Sequence, residues 1–376
     1  MSGLLPDVDP QGLLEFSVVY TDRSLNHMSG AFQQVMRDLS TQLKSVYNAH
    51  SVAIIPGSGT FGMEAVARQF STGKKALVIR NGWFSYRWTQ IFEMGQIPRE
   101  ELVCKAQFAS DQPEAQLAPM AIEQVVETIR HERPEVVFAP HVETSAGMIL
   151  PDSYIKTVAD AAHEVGALFV LDCIASGTIW VDMKACGVDL LVSAPQKGWS
   201  GSPCCGLVMM SEAARERLDQ TTSSSFAADL KKWAQIMETY ESGAHAYHAT
   251  MPTDGLRQLR DVMAEAQKYG FDKLKSAQQE LGDRVRSILA ARGIKSLAAD
   301  GFGAPGVVVS YTQEADIHNG SRFAQAGFQI AAGVPLQVDE PEGFKTFRIG
   351  LFGIDKLMNV DRTLSMLEEG LDKIGL

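Results

Sequence analysis

The stretch from Gly166 to Met210 most constrains the fold, because it contains two apolar strands that each end in a polar residue. The first, ALFVLD, ends in Asp172, and the second, VDLLVS, runs into a turn that contains Gln196 and Lys197. Short apolar runs of this kind are typical of strands buried on both faces of a parallel sheet. The segment therefore predicts two adjacent strands, with Lys197 following Asp172 by 25 residues.

Lys197 is badly placed for a solvated surface charge, because it follows a buried strand and precedes small, turn-forming residues. A partly buried ammonium group loses hydration, so its pKa falls and the neutral amine becomes a nucleophile toward an aldehyde. Pyridoxal phosphate needs such a lysine, together with an acid that keeps its pyridine nitrogen protonated. Asp172 is the candidate acid. A loop charge at Lys197 and a helix cap at Asp172 are the competing interpretations.

Strands and helices alternate over residues 50–210, which predicts a mostly parallel sheet covered by helices, with ligands at the carboxyl ends of the strands. A single core seldom grows beyond about 250–300 residues, so a chain of 376 residues favours two domains. We divide it into an N-terminal arm (1–28), a large cofactor-binding domain (29–253) and a smaller C-terminal α/β domain (254–376). Residues 112–133 are predicted to form an acidic amphipathic helix on the outside.

The turn PGSGT joins a short strand to a helix and predicts a phosphate site, because N–H groups at a helix N-terminus bind anions. Gly57, Gly59 and Gly62 also match the G-x-G-x-x-G fingerprint of dinucleotide sites. That fingerprint predicts an acid at the end of the next strand, where this chain has Arg80 and Asn81. The NAD hypothesis is excluded, and an NADP-dependent oxidoreductase stays open as a remote alternative.

Two further strand ends, and one position inside a strand, carry side chains suited to binding. The stretch NGWFSYRW offers aromatic rings, Phe84 among them, that could stack on a planar cofactor, and HVETS offers the hydroxyl of Thr144. Arg348 lies within the strand TFRIGLF, where a charge must have a partner. A substrate carboxylate and a protein carboxylate are both suitable partners for this guanidinium group.

Composition excludes several classes of partner. The net charge of −11, with no basic block, argues against nucleic acids and anionic membranes. We find no signal peptide and no apolar run long enough to span a bilayer, so we expect a cytoplasmic location. The five cysteines include no C-x-x-C pair, so we expect neither a metal site nor a disulfide framework. Cys204 and Cys205 lie near Lys197, which leaves a catalytic thiol open.

Together, these motifs resemble those of the class V aminotransferases of pyridoxal-phosphate fold type I, most of all the alanine–glyoxylate and serine–pyruvate group. The resemblance covers roughly residues 30–370. It depends on PGSGT followed by MEA, NGxF followed by an arginine, HxETSAG followed by P, LD followed four residues on by Ser176, S-x-x-QK, YHAT and FRIG. It implies a large domain with a mostly parallel seven-stranded sheet covered by helices, and a smaller C-terminal α/β domain.

The resemblance also implies roles for individual residues. Lys197 would form the Schiff base with pyridoxal 5′-phosphate and shuttle the proton between the substrate Cα and the cofactor. Asp172 would hold the protonated pyridine nitrogen, and Arg348 would clamp the substrate α-carboxylate. The other implied cofactor contacts are Ser58, Gly59, Thr60 and Gln196 at the phosphate, Phe84 on the ring, Thr144 at the ring oxygen, Ser176, and Tyr247 and Thr250 from the neighbouring subunit. A site shared in this way implies a homodimer.

The implied reaction is ping-pong transfer of the amino group of alanine or serine to glyoxylate or pyruvate. Transaminases of 2-aminoethylphosphonate or phosphoserine stay open, as does a lyase or desulfurase that uses Cys204 or Cys205. The chain departs from the family pattern at EFSVVYTDRSLNHMS, which replaces a segment with Gly-Pro, and at Ala146, where many relatives have Thr. It also departs at Trp199 and at Pro203-Cys204-Cys205. These departures leave the amino donor open.

Overall fold

The structure is a computed structural model that describes residues 8–376, so the first seven residues of the predicted arm 1–28 lie outside the described residues. The strands are β1 (Ser51–Pro56), β2 (Lys75–Arg80), β3 (Glu100–Lys105), β4 (Gln107–Phe108), β5 (Leu117–Ala118), β6 (Val136–Pro140), β7 (Val142–Glu143), β8 (Met148–Ile149), β9 (Leu168–Asp172), β10 (Leu190–Ser193), β11 (Cys205–Met210), β12 (Val307–Tyr311), β13 (Ala331–Ala332) and β14 (Thr346–Gly350). The helices are α1 (Gly30–Tyr47), α2 (Gly59–Phe70), α3 (Trp83–Gly95), α4 (Ile122–Glu132), α5 (Asp152–Glu164), α6 (Met183–Cys186), α7 (Glu212–Leu218), α8 (Leu230–Glu241), α9 (Thr253–Tyr269), α10 (Phe271–Ala291), α11 (Ala315–His318), α12 (Ser321–Gln325), α13 (Ile354–Leu357) and α14 (Val360–Lys373).

The central sheet has seven strands in the order β1-β11-β10-β9-β6-β2-β3. Strand β11 is antiparallel to both of its neighbours, and all other adjacent pairs are parallel. Every residue of β6, β9 and β10 is buried, as is typical where helices cover both faces of a sheet. The predicted α/β fold with a mostly parallel seven-stranded sheet is confirmed.

The register of the sheet places several strand ends at one edge. Val192 of β10 and Pro140 of β6 both pair with Asp172 of β9. The segments that follow β6, β9 and β10 therefore leave the sheet side by side. The turn after β1 reaches the same edge, because β1 runs in the same direction as β10. The polar groups that end or follow β1, β6, β9 and β10 thus meet at the carboxyl ends of parallel strands, where such sheets bind ligands.

The topology argues against the dinucleotide alternative. In that fold the first two strands are neighbours, whereas β11, β10, β9 and β6 separate β1 from β2 here. Arg80, the residue on which the NADP hypothesis depended, donates from Nη2 to Thr89 Oγ1 at 2.9 Å. Its Cζ lies 4.7 Å from the ring centroid of Tyr86. Arg80 is therefore used in packing β2 against α3.

The C-terminal part of the chain builds a second sheet of three antiparallel strands in the order β12-β14-β13. Its core is separate from that of the central sheet and includes Leu281 and Phe347. Helix α9 contributes Leu256 to the large core and Ala266 to the small one. The proposed domain boundary at residue 253 stays a prediction. Within residues 8–376, no helix combines the length and apolar character needed to cross a bilayer.

The predicted helix over residues 112–133 is wrong in its first half. Strand β5 occupies Leu117–Ala118 and pairs with β4, and the helix begins only at Ile122. Pro113 and Pro119 lie in the misassigned part. Proline in a helix interior removes an N–H donor and clashes with the preceding turn, so the helix starts beyond both residues.

Candidate active site

A cavity of about 210 Å³ lies at the carboxyl edge of the central sheet. Most of the residues predicted to bind the cofactor line it: Ser58, Gly59, Thr60, Phe84, Thr144, Asp172, Gln196 and Lys197. Arg87, Met63, Val142, Ile174 and Ala175 complete the lining. Ser176, Tyr247, Thr250 and Arg348 lie outside it. The segments that follow β1, β2, β6, β9 and β10 all contribute to this one cavity.

One end of the cavity is the N-terminus of α2. Ser58 is the N-cap residue, yet its hydroxyl makes no capping hydrogen bond and stays available. A Cβ atom on Gly59 would lie 2.6 Å from Ile174 Cδ1 and 3.1 Å from Ala194 Cβ, so a larger residue where the helix begins would require Ile174 to shift. The Oε1 atom of Gln196 is buried and has no hydrogen-bond partner among the described residues. Because the two amide atoms are assigned by their partners, a flipped amide would present N–H donors here. This end suits a phosphate group.

Lys197 lies in the turn that follows β10, and the next residue explains the shape of this turn. A Cβ atom on Gly198 would lie 1.9 Å from the carbonyl oxygen of Gly177, so the backbone approach requires glycine. Burial lowers the pKa of the Lys197 ammonium group, and the charges of Arg348 and Arg87 lower it further. The neutral, nucleophilic amine is therefore easier to form than in a solvated lysine.

Asp172 is buried at the end of β9, and its Oδ1 accepts a hydrogen bond from the Ile174 N–H at 2.9 Å. Burial raises the pKa of this carboxyl group to about 7, and the nearby charge of Glu143 adds to the rise. The Ile174 N–H and Arg87 act in the opposite direction. A cationic N–H group placed against Asp172 would compensate this buried charge. Both Asp172 and the α2 end of the cavity therefore fit pyridoxal phosphate.

Glu143 is a functional candidate to which the sequence analysis gave no role. It is fully buried at the end of β7, and its carboxylate receives hydrogen bonds from Phe84, Ser85 and Ser145. The shortest are from the hydroxyls of Ser145, at 2.6 Å, and Ser85, at 2.7 Å. Glu143 thus holds the first turn of α3, which carries Phe84. A carboxylate at the end of a buried strand was the available signal, since such a charge needs partners.

Arg348 lies beside Phe84, with its Cζ 5.6 Å from the ring centroid. Its Nε donates to the Ala332 carbonyl at 2.8 Å. Among residues 8–376, no carboxylate forms an ion pair with this guanidinium group, so the protein salt bridge considered above is not formed. Burial lowers the pKa of Arg348, and Glu143 partly opposes this shift. Arg348 is left with the capacity to pair with an external carboxylate.

Three of the predicted cofactor ligands lie away from the cavity in the single chain. Ser176 is buried, with its Oγ 2.7 Å from His141 Nδ1. Tyr247 and Thr250 are both exposed, and their hydroxyl groups are hydrogen-bonded to each other at 3.0 Å. The cofactor roles of these residues stay predictions.

The residues that depart from the family pattern also lie outside the cavity lining. The thiols of Cys204 and Cys205 are 3.8 Å apart, and a Cβ atom on Gly255 of α9 would lie 3.2 Å from the Cys204 sulfur. Trp199 is buried against Trp180, with ring centroids 4.5 Å apart. Neither thiol therefore faces the cavity that Lys197 and Asp172 share.

Comparisons with known proteins agree with this geometry. The model of the family Aminotransferase class-V matches residues 13–300. A soluble hydrogenase small subunit from Synechococcus sp. is 27% identical over 354 residues, covering 93% of this chain and 88% of the relative. The alanine–glyoxylate aminotransferase of Callithrix jacchus is 25% identical over 370 residues, covering 92% of this chain and 82% of the relative.

A solved structure shares the fold. The crystal structure of an alanine–glyoxylate aminotransferase from Nostoc sp. matches with a TM-score of 0.76 at 21% identity. The match covers 92% of this chain and 88% of that chain.

Proposed function

This chain belongs to the class V aminotransferase family, and on that premise we propose that it transfers the amino group of alanine or serine to glyoxylate or pyruvate with pyridoxal 5′-phosphate. The observation that carries the proposal is the placement of Asp172 and Lys197 in one cavity whose other end is the N-terminus of α2. The family and its fold are dependent on pyridoxal phosphate. The choice of alanine and glyoxylate is supported by the name of the Callithrix jacchus relative.

Each group in and beside the cavity has a task in this reaction. Pyridoxal phosphate, when bound, supplies an aldehyde and a ring that accepts electrons. Asp172 would hold the proton on the ring nitrogen, and the first turn of α2 would bind the phosphate. Arg348 would bind the α-carboxylate of the substrate. The amine of Lys197, with its lowered pKa, would move the proton between the substrate Cα and the cofactor in each half of the reaction.

The alternatives within the same fold find less support. A desulfurase would need a thiol at the reacting atoms, and neither Cys204 nor Cys205 lines the cavity. A phosphoserine substrate carries a dianion besides its α-carboxylate, so it would need cations in addition to Lys197 and Arg348. Arg87 is the one further cation among the described residues that line the cavity, and it lies beside the α2 end.

The test of this proposal is an absorption spectrum of the purified protein, followed by separate additions of alanine and serine. We expect a visible-edge band that shifts toward the near ultraviolet with one donor and returns when glyoxylate is added. Initial rates should then give parallel double-reciprocal lines, as a ping-pong mechanism requires. Intersecting lines, or the absence of a band after pyridoxal phosphate is supplied, would contradict the proposal. Release of alanine from cysteine without a keto acid would instead identify a desulfurase.

We also propose that the chain forms a homodimer in which Tyr247 and Thr250 reach the phosphate of the partner subunit. Tyr247 is 51% exposed, and Leu13, Phe16 and Val18 of the N-terminal segment are exposed apolar side chains. Several apolar side chains exposed within one short segment, residues 13–18, are typical of an interface. Light scattering on the same preparation should therefore give twice the single-chain mass of 41.0 kDa.

Substitution of Arg348 by glutamine should weaken substrate binding without weakening cofactor binding. A charged hydrogen bond to a carboxylate contributes about 1.5–3 kcal/mol, so KM for both the amino acid and the keto acid should rise about 10- to 100-fold. The affinity of the apoprotein for pyridoxal phosphate should stay the same. Arg130→Gln, on the exposed face of α4, is the matched control. Unchanged KM values in the Arg348 variant would disprove the carboxylate assignment.

A further inference from the structure

Arg87 lines the cavity and contacts two of its other lining residues, Thr60 and Phe84. It follows Phe84 by three residues on α3, so both side chains lie on the same face of the helix. Its Nη1 donates to Thr60 Oγ1 at 3.0 Å, and its Cζ lies 5.2 Å from the ring centroid of Phe84. One side chain therefore contacts both the first turn of α2 and the aromatic ring.

The hydrogen bond to Thr60 determines what the threonine hydroxyl can do. A guanidinium group has five donors and no acceptor, so Thr60 cannot donate back to Arg87. Its own hydroxyl hydrogen must point elsewhere, and Thr60 lines the cavity. Among residues 8–376, no carboxylate forms an ion pair with Arg87, so its positive charge is not neutralised by a neighbouring side chain. The arrangement thus supplies one oriented donor and one positive charge at the α2 end.

The neighbouring arginine at position 80 shows that this arrangement is specific to Arg87. Arg80 directs one guanidinium nitrogen to Thr89 Oγ1 and another to the Gln337 carbonyl, at 2.9 and 3.3 Å. It does not line the cavity. Both arginines pack against an aromatic ring, yet only Arg87 faces the ligand site. Packing alone therefore does not account for the position of Arg87.

We propose that Arg87 is a positioning residue for the phosphate of the cofactor, a role that rests on the proposed function. It directs the hydroxyl of Thr60 toward the phosphate and places a positive charge beside the phosphate. It also holds the ring of Phe84 by a cation–π contact. The group that Arg87 and Thr60 recognise is therefore the phosphate of the cofactor. Pyridoxal, which lacks the phosphate, should gain little from Arg87.

The test compares pyridoxal 5′-phosphate with pyridoxal as ligands of the full-length apoprotein, by tryptophan fluorescence and the visible band. In Arg87→Met, which keeps an unbranched side chain against Phe84, affinity for pyridoxal 5′-phosphate should fall about 10- to 100-fold. Affinity for pyridoxal should change less than about 3-fold. Arg87→Lys keeps the charge and should recover part of the loss. Arg99→Met, an exposed arginine paired with Glu135, is the control.

Thr60→Val provides a second variant of nearly the same shape. It should show the same selective loss, and the double variant with Arg87→Met should lose little more than either change alone, because both act through one hydrogen bond. Equal losses for the two ligands, or no loss in Arg87→Met, would overturn the assignment while leaving the proposed function intact. A wild-type protein that binds no pyridoxal 5′-phosphate would overturn both.

Discussion

Replacement of Lys197 by alanine should abolish transamination while leaving a folded protein that binds pyridoxal phosphate without a covalent bond. The variant loses both the nucleophile and the base that moves the proton at the substrate Cα. General acid–base catalysis alone contributes about 10²- to 10⁴-fold, so we expect kcat to fall by about 10⁴-fold or more. The turn itself should persist, because its shape depends on Gly198 rather than on the lysine side chain.

Borohydride reduction followed by peptide mass spectrometry measures the covalent bond separately from activity. The wild-type protein should retain the cofactor on the peptide that contains Lys197, and the alanine variant should retain none. Lys156→Ala, which removes an exposed lysine paired with Asp160 on α5, should behave like the wild type in both assays. A reduced cofactor on any other lysine would disprove the assignment of Lys197.

Replacement of Asp172 by asparagine should reduce kcat by about 10²- to 10⁴-fold and should stabilise the protein without cofactor. Activity falls because a neutral amide cannot offset the charge of a protonated ring nitrogen. The stabilisation has a different origin. In the absence of the cofactor, a carboxylate buried at this position forms no ion pair with the described residues, and asparagine removes that charge while keeping an acceptor for the Ile174 N–H.

The sign of the pH dependence follows from the raised pKa. Burial moves the pKa of Asp172 from 3.8 to about 7, so folding favours the protonated form. The stability that this group contributes is therefore full below about pH 4 and is lost as the pH rises through about 7. Asparagine has no such loss. Between pH 4 and pH 7 the free energy of unfolding of the variant apoprotein should therefore rise relative to that of the wild type. The difference should reach a few kcal/mol, at about 1.4 kcal/mol per pKa unit.

Urea unfolding of the two apoproteins at pH 4, 6 and 8 measures this difference. The gap in the free energy of unfolding should widen across the series, and saturation with pyridoxal phosphate should reverse it. Asp160→Asn, an exposed change on α5, is the control. A constant gap at all three values would show that Asp172 has an ordinary pKa in the folded protein.

The central sheet and most of its ligand-facing segments could be predicted from local sequence patterns. The apolar run that ends in Asp172 and the one that precedes Lys197 each predict a buried strand and its end, without information on which strands lie beside it. The predicted start of α4, at residue 112, was too early, because Pro113 and Pro119 exclude a helix interior there. The structure brings the residues that line the cavity together, and their roles in catalysis and cofactor binding stay predictions.

The partners of Glu143 and Arg87 could not have been found in the same way. Glu143 acts on Ser85, 58 residues away, and Arg87 acts on Thr60, 27 residues away. These contacts depend on β6, β2 and β1 having particular places in the sheet. A sequence pattern records which residues end a strand, but not which other strand end lies beside it.

Local residue types were enough to predict the alternation of strands and helices, the buried strand that ends in Asp172, and the glycine-rich turn that begins α2, because backbone conformation and burial depend on them. The assembled sheet argues against a dinucleotide site, because its strand order separates β1 from β2. Only the tertiary structure decided that Arg348 lacks a carboxylate partner among the described residues. Both findings depend on contacts between distant segments, which form only when the sheet assembles.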